Sequence, residues 1–178
     1  MKKTIDTPGE SGDKQESRLE GLFLEELSAL YGAEQHQLLV LPLLKKAASS
    51  LKLRNVLASH LDDTREQIGR LETIFQKMGH PAEARTSEAI LGITREAEMV
   101  IGGTMPGTAT RDAGLIAAVQ KLEHYEITSY GSLAQHARTL DYDELDELLE
   151  CSLMEEKEAD DLLTALAENY INQDASRE

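Results

Sequence analysis

Apolar residues recur along this chain at helical spacing, and no segment shows the strand-like alternation bounded by hairpin turns that a sheet requires. Ser17 and Glu20 form an S-x-x-E capping box in front of the first run, which carries Phe23, Leu27, Leu30, Tyr31, Leu38 and Leu41. Pro42 removes a backbone donor and crowds the preceding turn, so a kink is predicted there, with the helix continuing to about Ser49. A second helix is expected through Leu53, Leu57, Leu61, Ile68, Leu71, Phe75 and Met78, ending at Gly79-His80-Pro81. A shorter one follows from about Ser87 to Ile101, and the run from Gly102 to Gly107 breaks it. The next begins after Thr110, with Asp112 near its positive end, and carries Leu115, Val119, Leu122, Leu133 and Ala137. The last opens on Asp141 and Glu144, read as a second capping box, and displays Leu145, Leu149, Leu163, Leu166 and Tyr170.

Four long helices and one short one predict an all-α fold: a four-helix bundle of two antiparallel helical hairpins, with the short extra helix in the crossover between them. Residues 1–17, rich in polar residues with Pro8, Gly9 and Gly12, read as a flexible tail. Residues 18–172 form the single bundle domain, and 173–178 a frayed C-terminus.

Composition narrows the function classes. The 33 Asp+Glu outnumber 18 Lys+Arg for a net charge of −15, and Lys45-Lys46 is the best short basic cluster, so nucleic acid is not an expected partner. A hydrophobic content of 40% supports a folded core in spite of that charge. The single cysteine, Cys151, leaves no intrachain disulfide or thiolate cluster, and a cytoplasmic location is expected. The first seventeen residues carry no apolar run, so neither a secretory signal nor a membrane partner is predicted.

The informative residues are those that interrupt the apolar stripes. At about 100° per residue, Glu34 falls at the centre of the first stripe, Glu126 midway between Val119 and Leu133, and Glu156 between Leu149 and Leu163. Glu123 lies one turn before Glu126, while Glu155 and Asp160 border the last stripe. On the second helix Thr64 is central, with His60, Asp63 and Gln67 along one edge. A carboxylate in a dry core is costly unless it is paired or holds a metal. Carboxylates with an occasional histidine suit iron or manganese, and bundles project such ligands inward from facing helices.

Each residue also has a plainer reading. His60 alone fits a boundary histidine, and Asp63, Glu155 and Asp160 fit a solvated acidic face. Tyr130 fits core packing with a hydrogen-bonded hydroxyl, and His36 and His136 have no partner identifiable from spacing. Glu34 and Glu126 fit pairing with a core-reaching Lys or Arg, although few basic residues sit on these stripes; for Glu34, Glu126 and Glu156 the plain reading is the weaker one, and the acids taken together point to metal. Strict Glu-x-x-His pairs are missing: Glu66 follows Asp63, and Glu158 follows Glu155, at that spacing. The halves of the chain are similar, with Leu30-x-x-x-Glu34 matching Leu122-x-x-x-Glu126 and Leu61-Asp62-Asp63-Thr64 matching Leu153-Met154-Glu155-Glu156. An internal duplication would relate the two ligand sets by a pseudo-twofold axis.

The stretch Arg111-Asp112-Ala113-Gly114-Leu115-Ile116-Ala117-Ala118, followed by Gln120-Lys121-Leu122-Glu123-His124-Tyr125-Glu126-Ile127 and Tyr130-Gly131-Ser132-Leu133, resembles the signature of the YciF/YciE-type ferritin-like stress proteins. Leu30-Tyr31-Gly32-Ala33-Glu34-Gln35, His60-Leu61-Asp62-Asp63-Thr64 and Glu155-Glu156-Lys157 support it, and the resemblance covers roughly Leu19 to Asn172. It implies a ferritin-like bundle, a homodimer, a link to bacterial stress responses and a dinuclear metal site. That site falls on Glu34, Asp63, Glu123, Glu126, Glu155 and Glu156. Where this chain has Asp62-Asp63-Thr64 the family commonly has Glu-Glu-Thr, and an aspartate reaches one methylene less far.

Three functions follow as expectations. The first is a redox protein with two iron or manganese ions per chain that consumes peroxide or oxidises Fe(II); whether it is an enzyme is left open. The second is a non-catalytic metal-binding or iron-buffering protein, and the third a helical interaction module without metal.

Overall fold

The computed structural model describes residues 17–178, so the predicted tail lies outside the described residues except for Ser17, which caps the first helix. The helices are α1 (Arg18–Ala47), α2 (Leu51–Met78), α3 (Glu88–Gly103), α4 (Ala109–Thr139) and α5 (Asp143–Leu166). A π-helical turn, Ala167–Ile171, and a short α6, Asn172–Ala175, extend α5. No strand occurs among the described residues. The all-α bundle with a short helix in its crossover is therefore the fold.

Side-chain pairs give the topology. Tyr31 meets Glu72 and Gln37 meets His60, so α1 and α2 run antiparallel; Gln120 meets Thr164 and Arg138 meets Asp146, so α4 and α5 do too. Glu34 with Tyr130 and Gln37 with Glu126 set α1 antiparallel to α4, and Gln67 with Glu156 and Arg70 with Ser152 set α2 antiparallel to α5. This is an up-down-down-up bundle, in which α3 spans the one long connection.

Local signals explain most boundaries. Ser17 and Glu20 make the reciprocal capping box, and Gly79 ends α2 at φ 76°, a left-handed conformation that favours glycine. Pro42 lies inside α1 without ending it, on the exposed side. The capping box expected at Asp141 and Glu144 is not formed. Asp141 takes φ 60° to close the α4–α5 turn, Tyr142 is the N-cap without a side-chain capping bond, and Glu144 pairs with Lys77. At the C-terminal end, α6 carries the chain back to the start of α4. The Glu178 carboxylate accepts from the amides of Ala109 and Thr110 at 2.8 and 3.0 Å, at the positive end of α4.

Two contacts hold the elements together. Asp112 accepts from the Ser49 amide at 2.8 Å, and from the Ser49 hydroxyl and the Ser50 amide at 2.7 Å, so the first turn of α4 satisfies the α1–α2 turn. Asp112→Ala removes the acceptor of the half-buried Ser49 and Ser50 amides, leaving the Ser49 hydroxyl only the Thr108 carbonyl, and is expected to cost about 1–3 kcal/mol, read by urea unfolding. Against α1, the loop before α3 approaches so closely that a Cβ on Gly32 would lie 2.1 Å from the Arg85 carbonyl oxygen. Backbone cannot give way cheaply there, and Gly32→Ala is expected to lower stability by about 1–3 kcal/mol in the same assay.

The apolar core is divided. At one end Phe23, Leu27 and Leu30 pack with Leu71, Ile74, Leu133 and Leu149. At the other, Leu41 and Leu44 pack with Leu53, Leu57, Leu115, Val119 and Leu163. Each such fully buried side chain contributes about 1.5–3 kcal/mol. Between the two ends lies a belt of buried polar residues.

Candidate metal centre

Each of the four long helices contributes to the belt at its mid-length. Glu34 and Gln37 come from α1, His60, Thr64 and Gln67 from α2, Glu123 and Glu126 from α4, and Glu156 from α5. The 3.6-residue period that faces leucines inward at both ends of the bundle turns these side chains inward as well. Glu34, Glu123, Glu126 and Glu156 are all 0% exposed, and His60 is 2% exposed.

His60, Glu123, Glu126 and Glu156 each offer a ligand atom within 4.8 Å of the others. His60 Nε2 lies 3.4 Å from Glu123 Oε1 and 3.4 Å from Gln37 Oε1. The Gln37 amide donates to Glu126, and the Gln67 amide donates to Glu156 and, at 3.1 Å, to Glu155 Oε2. Tyr130 donates its hydroxyl to Glu34 Oε1 at 2.6 Å. The Thr64 hydroxyl is spent on the His60 carbonyl of its own helix, at 2.9 Å.

Among the described residues no arginine or lysine enters this belt to balance it, and three of its carboxyls are pushed towards their protonated form. Burial, then the Glu156 charge, raises Glu34 from its ordinary value to about 8, against the bond from Tyr130. Glu123 and Glu126 are also raised well above the ordinary range, first by burial and then by neighbouring glutamates. Burial and the Glu34 charge likewise push the Tyr130 hydroxyl up, so it stays a donor.

Four of these acids retain buried oxygens with no hydrogen-bond partner: Glu34 Oε2, Glu126 Oε2, Glu156 Oε2 and both oxygens of Glu123. Buried acceptors without donors are rare in folded proteins. Three carboxylates and an imidazole form an oxygen-rich, borderline-hard donor set, which fits iron or manganese. The one cysteine, Cys151, is exposed and apart from it.

The other expected ligands lie at the rim. Asp63 is half-buried, its carboxyl raised first by burial and then by the Glu155 charge. Glu155 accepts both guanidinium nitrogens of Arg70, each at 2.6 Å. Asp160 accepts from Gln120 at 3.0 Å and sits 3.5 Å from the exposed His124. His36, without a partner by spacing, meets Thr94 at 3.1 Å. The structure therefore brings Glu123, Glu126, Glu156 and His60 together, sets Glu34 beside them, and gives Glu155 and Asp160 other partners. Sequence reasoning missed Gln37, although it lies one turn from Glu34 and on the same side of α1.

The sequence model of a family described as "Domain of unknown function (DUF892)" matches residues 18–176. The chain belongs to the DUF892 family. It is similar to Protein YciF of Escherichia coli strain K12, at 40% identity over 158 residues, covering 88% of this chain and 95% of that protein. The crystal structure of the E. coli stress protein YciF aligns with a TM-score of 0.83 at 39% identity, over 88% of this chain and 98% of that one. YcfI from Rhodopseudomonas palustris aligns with a TM-score of 0.81 at 34% identity, over 85% of this chain and 96% of that one. This DUF892 chain thus shares its bundle with YciF along nearly its whole described length. No described helix is long and apolar enough to cross a membrane.

Proposed function

We propose that this protein is a metal-binding stress-response protein whose bundle waist takes iron or manganese on His60, Glu123, Glu126 and Glu156, with Glu34 beside them. The observation that carries the reading is the convergence of four ligand atoms within 4.8 Å, together with the orphaned carboxylate oxygens around them. Similarity to the stress protein YciF supplies the physiological half of the reading.

When bound, iron or manganese supplies reversible one-electron chemistry towards peroxide or oxygen. The chain's own contribution is position and proton inventory. Gln37 and Gln67 fix the Glu126 and Glu156 carboxylates without adding charge. Tyr130 holds one Glu34 oxygen and leaves the other free. The leucines at either end keep bulk water from the waist. Carboxyls protonated in the apoprotein release those protons as a cation replaces them, so affinity rises with pH.

The test is metal content after aerobic purification and reloading. Glu126→Ala is expected to lower bound iron or manganese sharply while keeping the helical dichroism. Unchanged content in Glu126→Ala, Glu123→Ala and Glu156→Ala alike would sink the reading. Peroxide turnover by the loaded protein separates a catalyst from an iron buffer. The reading includes the homodimer implied by family resemblance, which light scattering at micromolar concentration checks.

A further inference from the structure

Glu155 is adjacent to the waist yet held away from it. One amide, Gln67 Nε2, donates to Glu156 in the cluster and to Glu155 Oε2 at 3.1 Å, so the two carboxylates flank a single nitrogen. Asp63 feels the charges of both. Glu155 and Glu156, joined through that one amide, thus make a pair of acids along the α2–α5 seam, next to the four-residue cluster.

A fixed cation already stands there. Arg70, one turn beyond Glu66 on α2, donates Nη1 to Glu155 Oε2 and Nη2 to Glu155 Oε1, each at 2.6 Å. Its Nη1 also reaches the Ser152 hydroxyl at 3.1 Å, and Nη2 lies 3.5 Å from Glu66. The side chain is 17% exposed, and both oxygens of Glu155 are engaged. Fork-on-fork arginine–carboxylate pairing is among the stronger charge-assisted contacts. In the sequence match between the two halves, Leu162 of α5 stands at the position of Arg70 and Asp63 at that of Glu155; Leu162 is an exposed leucine, so the matching position on this same α2–α5 seam supplies no such clamp.

We infer that Arg70 sets the metal stoichiometry of the waist: it takes the place of a second cation by clamping Glu155, so the chain binds one ion tightly and a second only when that clamp is released. The inference rests on the metal-binding reading above. Arg70 is a selectivity residue rather than a ligand, since its guanidinium only donates.

The experiment is Mn(II) titration of the full chain, with equilibrium dialysis for stoichiometry and electron paramagnetic resonance for coupling between ions. The wild type is expected to bind one ion tightly and a second at least ~10-fold more weakly, given the strength of a partly buried competing charge. Arg70→Gln should bind two ions within about threefold of each other, with an exchange-coupled signal, whereas Arg70→Lys, which keeps the charge, should stay nearer the wild type. Glu155→Gln tests the same point without touching Arg70, and should abolish the weak event while sparing the tight one. Two equally tight ions in the wild type, an unchanged single ion in a folded Arg70→Gln, or an unaltered weak event in Glu155→Gln would overturn the inference. Those results leave the tight site standing. Absence of any bound Mn(II) in all four proteins would instead remove the metal-binding reading itself.

Discussion

Stripped of metal, the protein should lose stability as the pH rises from about 4.5 to about 8. The Glu34 carboxyl, ordinarily near 4.5, is raised to about 8 in the fold, chiefly by burial and then by Glu156, and Glu123 and Glu126 are raised for the same reasons. Between the unfolded and folded values the native state binds more protons than the unfolded chain. The slope of unfolding free energy with pH is then negative, about 1.4 kcal/mol per pH unit for each proton retained. Below the unfolded value both states are protonated and no penalty exists; it accumulates with pH until the folded value is passed. Metal reverses the trend, because it binds the deprotonated native cluster and not the unfolded chain. Thermal midpoints measured with chelator and with saturating Mn(II), at pH 5.5 and pH 8, should diverge, the two curves lying closest at low pH. A chelated protein as stable at pH 8 as at pH 5.5 would show that the acids ionise without cost.

The second large effect comes from removing one of those acids without changing its shape. Glu126→Gln keeps an oxygen able to accept from Gln37 and deletes a carboxyl that burial and Glu34 both oppose. The apoprotein at pH 8 should gain about 1–4 kcal/mol, as when other buried ionic groups are replaced by well-packed neutral ones. The same variant should lose most of its metal-dependent stabilisation. A residue that weakens the empty protein and strengthens the loaded one is the signature of a site maintained for ligand rather than for folding. Urea unfolding of Glu126→Gln and wild type, each with and without Mn(II), reads both effects, and equal destabilisation under all conditions would indicate a purely structural carboxyl.

The bundle was legible in the sequence because every helix repeats its apolar residues every three or four positions, and because Ser17, Gly79 and the glycine-rich break end or start helices by local geometry alone. Glu34, Glu126 and Glu156 were legible for the same reason, since each interrupts such a repeat. The starting point of α5 was not, because Asp141 adopts a left-handed conformation set by the turn it closes. Which acids share a cluster depends on relations between helices, which a single-helix projection does not contain. Glu155 and Glu156 are neighbours in sequence, yet one meets Arg70 and the other faces Glu123 and Glu126. Gln37 shares the Glu34 face of α1, as Gln67 shares the stripe of α2, but its role depends on Glu126 and His60, which other helices supply.

The split core has a mechanical consequence. At mid-length the α2–α5 side of the bundle meets through polar side chains with unpartnered oxygens, while aliphatic packing above and below clamps the helices like the two ends of a frame. Opening at the middle therefore need not separate either end, and an ion can reach the interior by a transient bowing of the helices rather than by unfolding of the chain. Amide exchange near Glu126 and Glu156 should accordingly be faster than near Leu27 or Leu163, and should slow selectively on loading.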